Sequence, residues 1–581
     1  MPLRHTTKGA LRMKPVSRII TGTRVTQFVC AVVLASLALT PSLVPRPTVF
    51  QGFLAGLWFM IGYGLGLPVH RIVLWAGVKL RAVRLLPATG KAAPRVTRGL
   101  RLLALLLLLA YVIIYATLVV GWQNDVRSLV EMEPIDGLGQ ATFLVTMIVT
   151  MGLSYSVFRG IGALRGVAQK IATRKGARAI TIKTAGLLTG IGVSLLLVVG
   201  LIAGGLGAVG SIYAARDTGT LEGSVKPERP TRSGSPDSHV LWEGLGRQGR
   251  AFVGGGPSAA AISTIIGAQG IDPIRVYAGL SQGEDLAARA ALVVEELERT
   301  GAFEREVLLV ATPTGSGWLE PQAIASLEYL YGGNTATASL QYSFQPSWVS
   351  FLFDPELSTE ASRALFNAVH NRWEQLPAAT RPKLAVYGLS LGAQGMQGHF
   401  TDLADLIERT DAALFTGPPA NSQPWRVLQA ARDVGTPIWQ PVYQDGTQVR
   451  WQSNPGDFAA LTGTWAQPRV GYLQHATDPI TWLDPSVIWQ RPEWLAGSAA
   501  EGGRGADVSD SMRWIPGVTF LHLVTDMLVS EAVPPSHGHN FGDVALDGWA
   551  QVLPQHGLSQ GVLDSIQSVI EQIDTHNPSW E

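Results

Sequence analysis

Four residues in this chain are well placed to do chemistry: Ser390, Asp478 and the neighbouring His537 and His539. Ser390 lies in Gly388-Leu-Ser390-Leu-Gly392, directly after the apolar run Leu384-Ala-Val-Tyr387 and before the small residues Ala393 and Gly395. A serine flanked in this way can occupy a strained turn between strand and helix that lifts its hydroxyl into a cleft. Glycine two residues to either side lets the backbone close tightly enough for that turn. A serine hydroxyl is a weak nucleophile until a neighbouring base takes its proton, and that base needs an acid to orient it. Candidates follow in the chain order acid, then histidine.

One G-x-S-x-G among 64 glycines is weak evidence, and the chain contains a second, Gly279-Leu-Ser281-Gln-Gly283. Ser281 opens Ser281-Gln-Gly-Glu284, a capping-box pattern in which serine and glutamate satisfy the first helix amides. That is a complete structural task. Ser390 has no acidic residue three positions on, has a strand and a Gly-rich loop upstream, and has further strands downstream, so it is the expected nucleophile.

The upstream loop Thr312-Pro-Thr-Gly-Ser-Gly-Trp318 ends an apolar run, at the strand edge where open α/β sheets bind ligands. Donors from Thr314 and Gly315 are expected to join the Leu391 amide as an oxyanion hole. A phosphate loop is disfavoured, because no Lys-Ser/Thr follows. Gly254-Gly-Gly-Pro-Ser258 competes as a donor loop but reads as a helix start. For the acid, Tyr472-Leu-Gln-His-Ala-Thr-Asp478-Pro479 puts a carboxylate just past a strand, with Asp484 and Asp526 in reserve. For the base, either His537 or His539 in Val533-Pro-Pro-Ser-His-Gly-His-Asn540 serves. His475 and His522 fall inside expected strands and read as core. A His-x-His pair with no cysteine and no third ligand nearby does not argue for zinc, and neither metal nor cofactor is expected.

The elements that must position these groups fall into two halves. Charged residues make up only 15% of the 581 residues and the mean hydropathy is +0.19, an excess of apolarity confined to the first part. Stretches 27–44, 49–67, 102–121, 138–158 and 185–213 have the length needed to cross a bilayer, and five transmembrane helices are expected. The first also has features of a secretory leader. Basic residues cluster before the first stretch (Arg4, Lys8, Arg12), after the second (Arg71, Arg84, Lys91) and after the fourth (Arg159, Arg165, Lys170), while the third exits into Asp125, Glu131 and Asp136. The positive-inside rule then puts the N-terminus in the cytoplasm and everything past Tyr213 outside it. Gly62-x-x-x-Gly66 and Gly200-x-x-x-Gly204 suit close helix packing or homo-oligomers. The spans lack the charges that carriers use, so the membrane half reads as an anchor. Net charge of +1 gives no reason to expect nucleic acid. The lone Cys30 excludes an internal disulfide.

Past residue 213, a Pro-, Gly- and Ser-rich stretch reads as a linker over 214–238. From 239 to 581, short β-like runs alternate with helical ones, as in a parallel sheet covered by helices. Strands are expected at 274–278, 307–312, 384–387, 412–416, 470–475 and 518–524, and a helix at 285–300.

At these residues the chain resembles a family of bacterial membrane-anchored α/β-hydrolases with an N-terminal membrane domain. The likeness is carried by Pro41-Ser-Leu-Val-Pro-Arg-Pro47, Ile274-Arg-Val-Tyr-Ala-Gly-Leu280, Thr314-Gly-Ser-Gly-Trp318, Tyr387–Gly392, Asp478-Pro479 and His537-Gly-His-Asn540. Leu389 departs from it, standing where the family is expected to favour glutamate. The resemblance implies serine hydrolase chemistry and, between the two histidines, favours His539. The expected architecture is therefore a transmembrane domain of about five helices (1–213) and an extracytoplasmic α/β-hydrolase domain (239–581). Its expected partners are the lipid bilayer and an ester or acyl-lipid substrate. Acyl transfer to another hydroxyl and a non-catalytic scaffold are the alternatives.

Overall fold

The computed structural model describes residues 14–82, 94–555 and 557–573. The chain divides into two compact units. One comprises residues up to Pro41, Arg46–Asp125 and Glu133–Val199; the other comprises Ser42–Pro45, Val126–Met132 and Gly200–Glu581.

The first unit is built from α1 (Lys14–Ala38), α2 (Thr48–Ala82), α3 (Pro94–Leu129), α4 (Gly137–Arg174) and the first half of α5 (Ala179–Thr218). Four of these, α2 to α5, are long and apolar enough to cross a membrane. α1 carries a shorter apolar stretch, Thr23–Ala38, so among the described residues four of the five expected spans are found. Of the charges used for orientation, Arg4, Lys8, Arg12, Arg84 and Lys91 lie outside the described residues. Large apolar side chains such as Ile113, Val145 and Leu196 are exposed, as helices solvated by lipid require.

Glycine sets the packing of α2. A Cβ at Gly62 would lie 2.4 Å from the Cys30 carbonyl oxygen, and one at Gly66 would lie 2.3 Å from Gln27 Cα, so these two residues bring α1 onto α2. Gly52 and Gly56 do the same for α4, with backbone oxygens 2.5 and 2.7 Å from their virtual Cβ atoms. Gly200 and Gly204, the other expected motif, face open space.

In the second unit seven strands form one wholly parallel sheet: β1 (Ile274–Ala278), β2 (Val307–Thr312), β3 (Thr335–Leu340), β4 (Lys383–Leu389), β5 (Ala412–Thr416), β6 (Val449–Gln452) and β7 (Arg469–Leu473). Their spatial order is β1-β3-β2-β4-β5-β7-β6, which puts β4 at the centre. Residues alternate between the two faces of that central strand: Ala385, Tyr387 and Leu389 enter one apolar core, Leu384 and Val386 the other. A third cluster forms around Trp482, Trp494, Leu523 and Met527, and Leu43 is buried in it.

Two strands escaped the sequence reading. β3 is Thr335-Ala-Thr-Ala-Ser-Leu340, buried throughout but without the bulky apolar run that marks a strand, and β6 is only four residues long. The strand expected at 518–524 is instead a helix, Val518–Asp526. Its β-branched and aromatic residues imitate a strand, yet its buried positions Val518, Thr519, His522, Leu523 and Asp526 recur at helical spacing. The segment 214–238 has little regular structure beyond the end of α5, but it is held fast. Arg232 is buried and donates to the carbonyls of Val253 and Pro257, and Ser233 donates to Glu296.

Candidate active site

β4 ends in Leu389, the helix Leu391–Gly398 begins two residues later, and Ser390 alone makes the turn with φ +55° and ψ −122°. That conformation costs a non-glycine residue roughly 1–3 kcal/mol. Sterics explain the two glycines of the motif. A Cβ at Gly388 would sit 2.3 Å from the Gly392 backbone, and one at Gly392 would sit 2.2 Å from the Thr312 carbonyl oxygen. The turn is tied to the next strand by the Ser390 amide, which donates to the Thr416 carbonyl at 2.9 Å.

Directly after Thr416, Gly417 (φ +51°) carries the imidazole of His539: a Cβ there would lie 2.5 Å from His539 Cε1. The sheet thus brings His539 to the carboxyl edge of β5, beside the Ser390 turn. His539 is 3% exposed, and its Nδ1 lies 2.7 Å from Asp478 Oδ2. Nδ1–H donates to the carboxylate, which leaves Nε2 with the lone pair; Nε2 is buried with no hydrogen-bond partner. Burial alone would push the His539 pKa down, but the charge and hydrogen bond of Asp478 more than reverse this, so it is raised. Asp478, fully buried just past β7, also accepts from the Ile480 amide (2.9 Å) and from Thr481 Oγ1 (3.2 Å).

The other expected residues divide. His537 is engaged elsewhere, with Nδ1 3.0 Å from Asp507 Oδ2. Thr477 links the two histidine–aspartate pairs, since its hydroxyl donates to Asp507 and accepts from the Gly538 amide. Asp526 accepts from the Leu43 amide and the Ser42 hydroxyl, and Asp484 caps a 3-10 turn at Ser486. Both reserve acids therefore have structural tasks. The Leu391 amide lies in the first turn of its helix, where amides lack intrahelical partners. The Thr314 amide, by contrast, donates to the Trp318 carbonyl at 2.9 Å, and that of Gly315 donates to Ser347 Oγ at 3.3 Å. The expected oxyanion donors of this loop are thus spent within the loop and on the helix Ser347–Phe353.

Two residues missed by the sequence reading belong to the site. Gly417 is one; a glycine closing a strand next to the elbow strand was the available signal. Glu320 is the other. Its buried carboxyl accepts a 2.7 Å hydrogen bond from Tyr387 on β4, and burial pushes its pKa up to about 7, with His539 among the charges that act on it. Trp318, Trp425, Trp482 and Trp494 are core residues, whereas Trp489 is 66% exposed. A cavity of about 650 Å³ is walled by Trp425, Trp482, Ile438 and Val487, and its lining includes Thr481, which donates to Asp478. Among the described residues, no group of three or more His, Cys, Asp or Glu could hold a metal ion.

A model described as alpha/beta-hydrolase family matches residues 274–566, half of the chain. The chain belongs to this α/β-hydrolase family. A second model, the N-terminus of the same family, matches residues 39–257, which takes in α2 to α5 and the start of the α/β-hydrolase unit. Neither a curated protein nor a solved structure matches the chain.

Proposed function

We propose that this α/β-hydrolase is a serine hydrolase acting on acyl esters. The observation that carries this reading is the buried His539–Asp478 pair standing beside the strained Ser390 turn. Ser390 Oγ attacks the ester carbonyl carbon while His539 Nε2 takes its proton, and Asp478 holds the ring in the required tautomer and stabilises the imidazolium. The resulting oxyanion meets the Leu391 amide; losing one such donor typically costs on the order of 10²–10³ in rate. Collapse breaks the bond to the alkoxide leaving group, which receives the proton back from His539. The acyl-Ser390 is then resolved by water or, in the transferase variant of the same chemistry, by an acceptor hydroxyl. The basic residues toward the end of α2 (Arg71) and of α4 (Arg159, Arg165, Lys170), against the acidic Asp125, Glu131 and Asp136 around the end of α3, favour an outer position for the end of α5, so the catalytic unit works on the outer side of the membrane, on a substrate drawn from the lipid phase.

The test is labelling of the membrane fraction with a fluorophosphonate probe, which reacts only with an activated serine. Labelling of the unaltered protein that vanishes in Ser390→Ala is expected. A folded, unaltered protein that takes up no probe would overturn the reading in favour of a non-catalytic scaffold.

A further inference from the structure

The membrane unit holds a cavity of about 380 Å³ between α1, α2, α3 and α4. Its construction is specific. Gly62 and Gly66 close α2 onto α1, and Gly52 and Gly56 close it onto α4, but α3 is held off α1 by two tyrosines. Tyr111 donates to Ser36 Oγ at 2.9 Å and Tyr115 to the Ser36 carbonyl at 2.6 Å, their rings stacked 5.5 Å apart. The space they prop open is walled by side chains such as Val32, Phe59, Val119, Phe143 and Met147. At one end, where α1 and α3 finish and α2 and α4 begin, the wall turns polar, with Arg46, Gln51, Gln123 and Gln140.

Length identifies the occupant. Along α2 the cavity runs from Thr48 to Phe59, about 16 Å at 1.5 Å per residue, or roughly half of the ~30 Å hydrocarbon thickness of a bilayer. It is therefore as deep as one leaflet and apolar along that depth, and its polar end lies at the helix ends, the level of the head groups. That end holds guanidinium and amide donors, and a phospholipid offers ester and phosphate oxygens, all acceptors, at that level. We propose that this cavity is a binding site for one acyl chain of a bilayer phospholipid, its ester and phosphate region meeting Arg46, Gln123 and Gln140. The site does not depend on the catalytic reading.

The experiment uses the full chain in nanodiscs containing a phosphatidylglycerol whose acyl chain carries a photoactivatable diazirine, with adducts mapped by mass spectrometry. Adducts are expected on cavity residues such as Phe59, Ala116 and Phe143. Ala35→Phe and Ala116→Phe, which fill the space, should remove most of that labelling, because the rings take the volume the acyl chain would occupy. Val145→Phe, on an exposed face outside the cavity, should leave it unchanged. Should the filling variants fail to fold, competitor lipids of increasing acyl length answer the same question in the unaltered protein. Protection should rise with length and level off once the chain exceeds the cavity depth. Labelling spread evenly over exposed helix faces, or insensitivity to both filling and chain length, would overturn the proposal.

Discussion

Gly279-Leu-Ser281-Gln-Gly283 and Gly388-Leu-Ser390-Leu-Gly392 share a motif, a preceding strand and a following helix, yet the structure treats their serines differently. Ser390 follows the central strand, is 4% exposed and has a positive φ. Ser281 follows the edge strand β1, is exposed, is not among the residues with positive φ, and donates weakly to the Gly244 carbonyl at 3.3 Å. Even the expected capping role passes to Asp285, whose carboxylate accepts from Ala288 at 2.8 Å at the start of the helix Leu286–Arg299. What separates the two is not the motif but the neighbour. Beyond β4 lies β5, and Gly417 directly after it carries His539; the side chain next to Ser281, Gln282, is tied to the Leu241 backbone.

That contrast can be broken most directly by exchanging alanine for each serine. Ser390→Ala should lower esterase turnover by on the order of 10⁴–10⁶, with Ser281→Ala indistinguishable from the unaltered protein in the same assay. Comparable losses in both would show that the geometry at Ser390 is not what matters.

The two histidine–aspartate pairs sharpen it further. Asp478→Asn should cost on the order of 10⁴ in kcat by favouring the wrong tautomer, while Asp507→Asn and His537→Gln should be mild. The free-enzyme pKa of the base carries a sign. Asp478 raises the His539 pKa above 6.5, and the base must be neutral to act, so kcat/KM should climb with pH through that raised value. In Asp478→Asn the climb should move to lower pH. An unmoved pH profile would detach Asp478 from the base.

Gly417→Ala places a Cβ against His539 Cε1 at a φ that disfavours alanine. A displaced imidazole should reduce turnover by about 10², with thermal stability measured alongside to separate loss of fold from loss of geometry.

The smallest effect concerns Glu320. Its pKa in the fold, about 7, exceeds the ordinary carboxylate value of 4.5, so between those values the folded state holds the extra proton. Stability therefore falls as pH rises from 4.5 to 7, by up to ~3 kcal/mol. Glu320→Gln should flatten this part of the stability profile and raise the melting temperature at pH 8. A profile unchanged by the substitution would show that the carboxyl is already ionised at low pH.

The sequence by itself determined what local pattern can carry. Long apolar stretches announced the membrane helices, because a bilayer demands about 20 such residues whatever the neighbours are. The strained turn at Ser390 was legible because Gly388 answers to sterics within five residues, whereas Gly392 answers to the Thr312 carbonyl at the end of the distant β2. Most strands were readable as apolar runs, and the order of acid and histidine along the chain was visible. Tertiary structure decided the rest. Thr335–Leu340 is a strand because it lies between β1 and β2, not because its own residues prefer one. Val518–Asp526 is a helix because its buried face packs on the third core. The division of labour between His539 and His537, the diversion of the Gly315 amide to Ser347, and the contacts of Gly417 and Glu320 at the site all depend on residues tens to hundreds of positions apart. A linear pattern holds no record of those distances; the crossing of the sheet strands sets them.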